Sequence, residues 1–113
     1  MKWLEDARLI VPEFDFSKCG RITVLQINEN SEGATEMGVE FYFCDDDKRT
    51  SGLIRFRFKN IFRMNIVFHT KLMWLADFFV SYDETTDEYC AFDEMLGVRW
   101  YSHGIEFIGF TKM

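Results

Sequence analysis

The side chains that most often do chemistry are sparse in this sequence, and they are not spaced to work together. The two histidines, His69 and His103, stand far apart. A metal site would need both, plus carboxylates that only the fold could bring to them. The plainer reading is two ordinary, partly exposed imidazoles. The three cysteines, Cys19, Cys44 and Cys90, are odd in number and widely separated. That suggests neither a disulfide framework nor a paired-cysteine zinc site. They read as reduced and mostly buried thiols, which points to the cytoplasm. Asp45-Asp46-Asp47 lacks the spacing and the ending of a calcium loop and reads as a polar turn. Glu106, within Ile105-Glu106-Phe107-Ile108, sits among apolar neighbours. Buried, it would have a raised pKa and could serve as an acid/base group with His103 or His69. Strand alternation gives the alternative, in which Glu106 faces solvent while Ile105 and Phe107 face inward. The sequence holds no glycine-rich phosphate loop and no nucleophile elbow. No catalytic residue, metal ligand or cofactor is therefore expected.

Charge is more informative. The chain of 113 residues carries a formal net charge of −6. An acidic protein repels nucleic acid and anionic membranes at long range and attracts basic partners. The charge is blocked along the chain. Lys48, Arg49, Arg55, Arg57, Lys59, Arg63 and Lys71 fall in a stretch without an acid. Asp77, Asp83, Glu84, Asp87, Glu88, Asp93 and Glu94 fall in a stretch without a base. The two blocks can neutralise each other across a sheet. Alternatively, one block is left over as a docking surface. The acidic one is then the better candidate, because tyrosines and Phe92 lie among its carboxylates and interfaces favour aromatic anchors with steering charges. Its expected partner-binding residues are Tyr82, Asp83, Glu84, Asp87, Glu88, Tyr89, Asp93 and Glu94. The basic stripe lacks a stacking platform, since Phe56 and Phe58 would point to the core, and this disfavours nucleic acid.

The elements that would position these groups are mainly strands. Hydrophobic residues make up 48% of the chain and 13 are Phe, enough for a core in one domain over residues 1–113. After Met1-Lys2 the apolar run breaks on Glu5 and Asp6, so no signal peptide is expected. The most apolar internal run, Leu72 to Val80, contains Asp77 and is too short to span a bilayer. Met1 to Val11 can form a short helix with Trp3, Ala7 and Ile10 on one face. A turn is predicted over Asp15–Gly20, a strand over Arg21–Asn28 and a loop over Glu29–Thr35.

Two runs alternate with period two. Met37, Val39, Phe41 and Phe43 share one face, and so do Ile54, Phe56 and Phe58. A hairpin about the polar turn Asp45–Gly52 can align them in two registers. One puts Phe41 opposite Phe56 and Glu40 opposite Arg57. The other puts Glu36 opposite Lys59 and Glu40 opposite Arg55. Each pairs opposite charges. Phe62, Met64, Ile66 and Phe68 form a third run. It is reached either by a turn at Lys59-Asn60-Ile61 or along one long strand bent by a bulge. A strand is predicted over Asp77–Tyr82. Thr85 and Glu88 have capping-box spacing, and Tyr89, Phe92 and Leu96 have helical spacing before Gly97, which predicts a helix over 85–96. Asp93 and Glu94 would sit at its negative end, which favours a hairpin there instead. Two strands turning at Ser102-His103-Gly104 are predicted over Val98–Lys112.

The stretch Gly38-Val39-Glu40-Phe41-Tyr42-Phe43, followed by Ser51-Gly52-Leu53-Ile54-Arg55-Phe56-Arg57-Phe58, resembles strand pairs in small bacterial immunity proteins of polymorphic-toxin systems. The resemblance implies a protein that binds and neutralises a cognate toxin, and it carries no site residue with it. Together these readings predict a mainly antiparallel β (α+β) fold with a single curved or barrel-like sheet and one or two short helices. The expected role is a cytoplasmic, non-catalytic module for a basic protein partner. The alternatives are a β domain whose inward Phe residues line a pocket for a small apolar ligand, and an acid/base enzyme built on Glu106.

Overall fold

The computed structural model describes residues 1–66 and 73–113. Phe68, His69, Lys71 and Leu72 lie outside the described residues. Helix α1 (Lys2–Ile10) buries Trp3 and Ala7. Ile10, expected on the same face, is 60% exposed, and Val11 is buried in its place. The stripe runs at a spacing of four, Trp3 to Ala7 to Val11, and Ile10 falls off it. Asp15 caps a single 3-10 turn, Phe16–Lys18. Its Oδ1 accepts the Ser17 amide at 2.8 Å, and this bond holds the Asp15 carboxyl below its ordinary range.

The strands are β1 (Cys19–Glu29), β2 (Thr35–Cys44), β3 (Ser51–Asn65), β4 (Met73–Trp74), β5 (Phe79–Asp83), β6 (Glu88–Asp93) and β7 (Val98–Lys112). They form one sheet in the order β4-β1-β2-β3-β7-β6-β5, antiparallel throughout, curled into a half-barrel. The fold is thus mainly antiparallel β, as the alternation predicts. In the β2–β3 hairpin Met37 opposes Phe58 and Glu40 opposes Arg55, so the second of the two registers is the one adopted.

Three expectations about the later elements need correction. First, β3 does not turn at Lys59-Asn60-Ile61. It continues as one strand in which Asn60 takes a left-handed conformation (φ 53°), the bent-strand alternative. Phe62 and Met64, expected to share a face, are parted by the register shift between Ile61 and Arg63: Phe62 turns outward onto His103, while Met64 lies opposite the buried Trp100 and is itself 39% exposed. Second, Ser102-His103-Gly104 is no turn. It runs within the single strand β7, alongside the left-handed Asn60 of β3, with Gly104 paired to Lys59 and Ser102 to Ile61. Third, residues 85–96 form no helix. Four-residue turns at 84–87 and 94–97 flank β6, with Asp87 (φ 55°) and Gly97 (φ 73°) in left-handed conformations. Tyr89, Ala91 and Asp93 point inward from β6, and the polar Asp93 hides the strand's alternation.

The core lies on the inner side of the curl. Phe41, Phe43, Ile54, Phe56, Phe58 and Trp100 are fully buried from the sheet, and α1, the 3-10 turn and the link between them add Trp3, Ala7, Phe14 and Phe16. Ring centroids lie 4.9 Å apart for Phe16–Phe56, 5.1 Å for Phe41–Phe78 and 5.2 Å for Phe58–Trp100. Each ring so buried stabilises the fold by about 2 kcal/mol. The two edges of the sheet, β4 and β5, are joined directly by residues 75–78. Phe78 turns into the core from this link. Asp93 secures the link through its Oδ2, which accepts from the Ala76 amide at 2.9 Å and the Asp77 amide at 3.1 Å. Among the described residues no helix is long and apolar enough to cross a membrane.

Candidate functional site

Arg55, Arg57 and Lys59 of the basic stripe are spent within the sheet. Arg55 pairs with Glu40 at 3.4 Å, Arg57 with Glu36 at 3.6 Å and with Glu106 at 2.7 Å, and Lys59 with Glu106 at 3.8 Å. These partners project from neighbouring strands on the outer face, so alternation and register place them together. Glu106 is thereby a solvent-facing member of an ion-pair cluster rather than a buried acid. His103 stacks on Phe62 at 4.6 Å, and its Nδ1 lies 3.3 Å from the Asp87 carbonyl oxygen. His69 lies outside the described residues. Among the described residues no cluster of three His, Cys, Asp or Glu side chains is placed to hold a metal ion.

The acids of the β5–β6 hairpin are arranged differently. Asp83 and Glu88 form its last pair, and the turn between them carries Glu84 and Asp87. None of these four carboxylates has a cationic partner within 4 Å among the described residues. The tip is nevertheless ordered by its own bonds. Asp83 Oδ1 accepts the Thr85 amide at 2.9 Å, and the Tyr82 hydroxyl donates to Asp87 Oδ1 at 2.6 Å. That bond, more than desolvation or neighbouring charge, pushes the Tyr82 phenol up to about 12. Tyr82 stacks on Tyr89 with centroids 4.7 Å apart. The Tyr89 hydroxyl accepts from Trp3 Nε1 at 3.3 Å, which ties the hairpin to α1.

Of the eight residues expected to meet a partner, seven lie on or beside this hairpin with part of their surface open, and Asp93 does not. Asp93 is fully buried at the far end of β6, where Oδ1 accepts the Leu96 amide at 3.0 Å and Oδ2 holds the 75–78 link. Its carboxylate is a structural acceptor and is withdrawn from the surface. A signal for this was present: aspartate just before a four-residue turn closed by glycine, here Asp93 before 94–97, is a turn-capping pattern. Trp3 also went unrecognised, because its tie to Tyr89 spans most of the chain.

The inward phenylalanines touch one another, as a filled core requires. A separate groove of about 200 Å³ lies on the outer face, lined by Val24, Gly38, Arg55, Arg57 and Ile108 among others. It is smaller than the roughly 300 Å³ at which ligand pockets commonly begin, and a second hollow of about 310 Å³, by Asn65, Phe92 and Arg99, only just reaches that size. Comparison with protein-family models, with curated proteins and with solved structures finds no match to this chain.

Proposed function

We propose that the protein is a non-catalytic binding module that docks its acidic β5–β6 hairpin onto a basic protein, in the manner of an immunity protein neutralising a toxin. The observation that carries this reading is the contrast between the three central cations of β3 and the acidic hairpin. Arg55, Arg57 and Lys59 are neutralised by Glu36, Glu40 and Glu106. Asp83, Glu84, Asp87 and Glu88 stand together at an ordered tip with no cation beside them among the described residues. Unpaired charge of one sign at a protruding tip steers a partner of the other sign and speeds encounter. Tyr82, 36% exposed and braced by Tyr89, supplies an aromatic anchor of the kind that interfaces favour. In this reading the compartment is the reducing cytoplasm, in keeping with three free cysteines.

The test is a tagged pull-down from the native lysate at low and high salt, followed by association kinetics with the captured protein. A near-stoichiometric basic partner, weakened by salt, is expected. The double charge reversal Asp87→Lys/Glu88→Lys should then slow association and flatten its salt dependence. Unchanged kinetics in that variant would remove the hairpin from the interface.

A further inference from the structure

A second feature of the outer face takes in two acids of that hairpin, Asp83 and Glu88, and reaches well beyond it. Across β3, β7, β6 and β5 the pairing lays out three outward rows. Asp83 and Glu88 form the first, beside His103 and Phe62. Arg63, Tyr101, Cys90 and Ser81 form the second. Asn65, Arg99, Phe92 and Phe79 form the third. The two arginines pair with no carboxylate among the described residues. They lie over rings instead, Arg63 at 5.1 Å from Tyr101 and Arg99 at 4.4 Å from Phe92. Phe62 and Phe79 stand 45% and 44% exposed at opposite corners. An outward patch with open rings, an acidic corner and an arginine corner is unusual on a lone domain.

We propose that this face joins two copies of the chain. The argument is one of self-complementarity. A two-fold interface brings a patch against itself, so it must carry both members of every charge pair. Neighbouring strands lie about 4.8 Å apart, and residues two apart along a strand about 6.8 Å. On that grid a two-fold axis lying in the face, running diagonally between Tyr101 and Cys90, lays Asp83 and Glu88 of one copy over Arg99 and Arg63 of the other. The two sheets then cross at roughly a right angle, one of the two common ways for sheets to pack. Cys90 falls close to the axis, and the open rings are covered around it. A nucleic-acid strand fits less well, because Asp83 and Glu88 repel phosphate at one end of the face.

Sedimentation equilibrium from micromolar to millimolar protein tests this. A reversible dimer is expected, weakened about tenfold or more by Arg99→Glu or by Asp83→Arg. The double variant Asp83→Arg/Arg99→Glu should recover the dimer, because the charges are exchanged and matched again. Circular dichroism melts confirm that each variant folds, since Asp83→Arg also loses the turn bond from Thr85. A short bis-maleimide should link two copies of the unsubstituted chain, and Cys90→Ser should abolish that link. A monomer at every concentration overturns the proposal, as does a dimer that neither single variant touches. A monomer that captures a thymidine oligonucleotide through Arg63 and Arg99 overturns it too, and assigns the arginines to phosphates.

Discussion

Asp93 grips Ala76 across the mouth of the half-barrel, its Oδ2 accepting the Ala76 amide at 2.9 Å. The same carboxylate accepts from Asp77 and Leu96, so one side chain satisfies three backbone donors and fastens the strip between the two sheet edges. Asp93→Ala leaves those donors unpaired and should cost about 3 kcal/mol in urea unfolding. Asp93→Asn keeps one acceptor oxygen and should cost about half as much.

Gly52 and Gly97 should respond differently to the same change. A Cβ at Gly52 would lie 2.2 Å from the Thr111 carbonyl oxygen and 2.7 Å from the Phe110 ring, between the central strands. Gly52→Ala should therefore destabilise by about 3 kcal/mol or more, since backbone must move. At Gly97 a Cβ meets nothing within 4 Å, and only its φ of 73° opposes a side chain. Gly97→Ala should cost about 1 kcal/mol. Thermal unfolding of the two variants side by side would show the gap.

The phenol of Tyr82 should titrate late. Its bond to Asp87 raises it from an ordinary 10.0 to about 12. A raised folded value means that the bond helps in full below the unfolded value and is lost as pH climbs through the folded one, between about 10 and 12. Ultraviolet titration of the wild type minus Tyr82→Phe should isolate this late phase. Asp87→Asn should move it back toward the ordinary value.

The cluster at Glu106 should matter little to stability. Arg57 and Glu106 are both close to half exposed, so their pair lies in screened surroundings. Arg57→Ala should cost less than about 1 kcal/mol, with most of the effect gone at high salt. A larger loss that survives salt would contradict the placement of this pair at the surface.

What the sequence made legible, and what it hid, follows from where each element's partners lie. The β2–β3 hairpin was readable down to two registers, because alternation and matching charge are both local. The choice between them rests on the turn length, which polar residues alone do not specify. The later half was harder. Asn60 marks a bend and Gly104 sits within a continuous strand, yet each has the composition of a reversal. At β6 an inward aspartate replaced the apolar residue that alternation requires, and the 89, 92, 96 spacing then mimicked a helix. The acidic hairpin was found through charge density, which needs no fold. The arginine corner of the outer face was not, because Arg63 and Arg99 become neighbours only when β3 pairs with β7.

That central pairing also orders events in time. Gly52 of β3 meets Lys112 of β7, so the middle of the sheet is closed by some of its most distant residues. β1 to β3 can form from neighbouring chain as two hairpins, and so can β5 with β6. The two groups share no strand until β7 arrives between them. A chain emerging from the ribosome would hold the phenylalanine face of β1 to β3 open until β7 is made. Folding should then be limited by that long loop closure, and slow for a chain of this size.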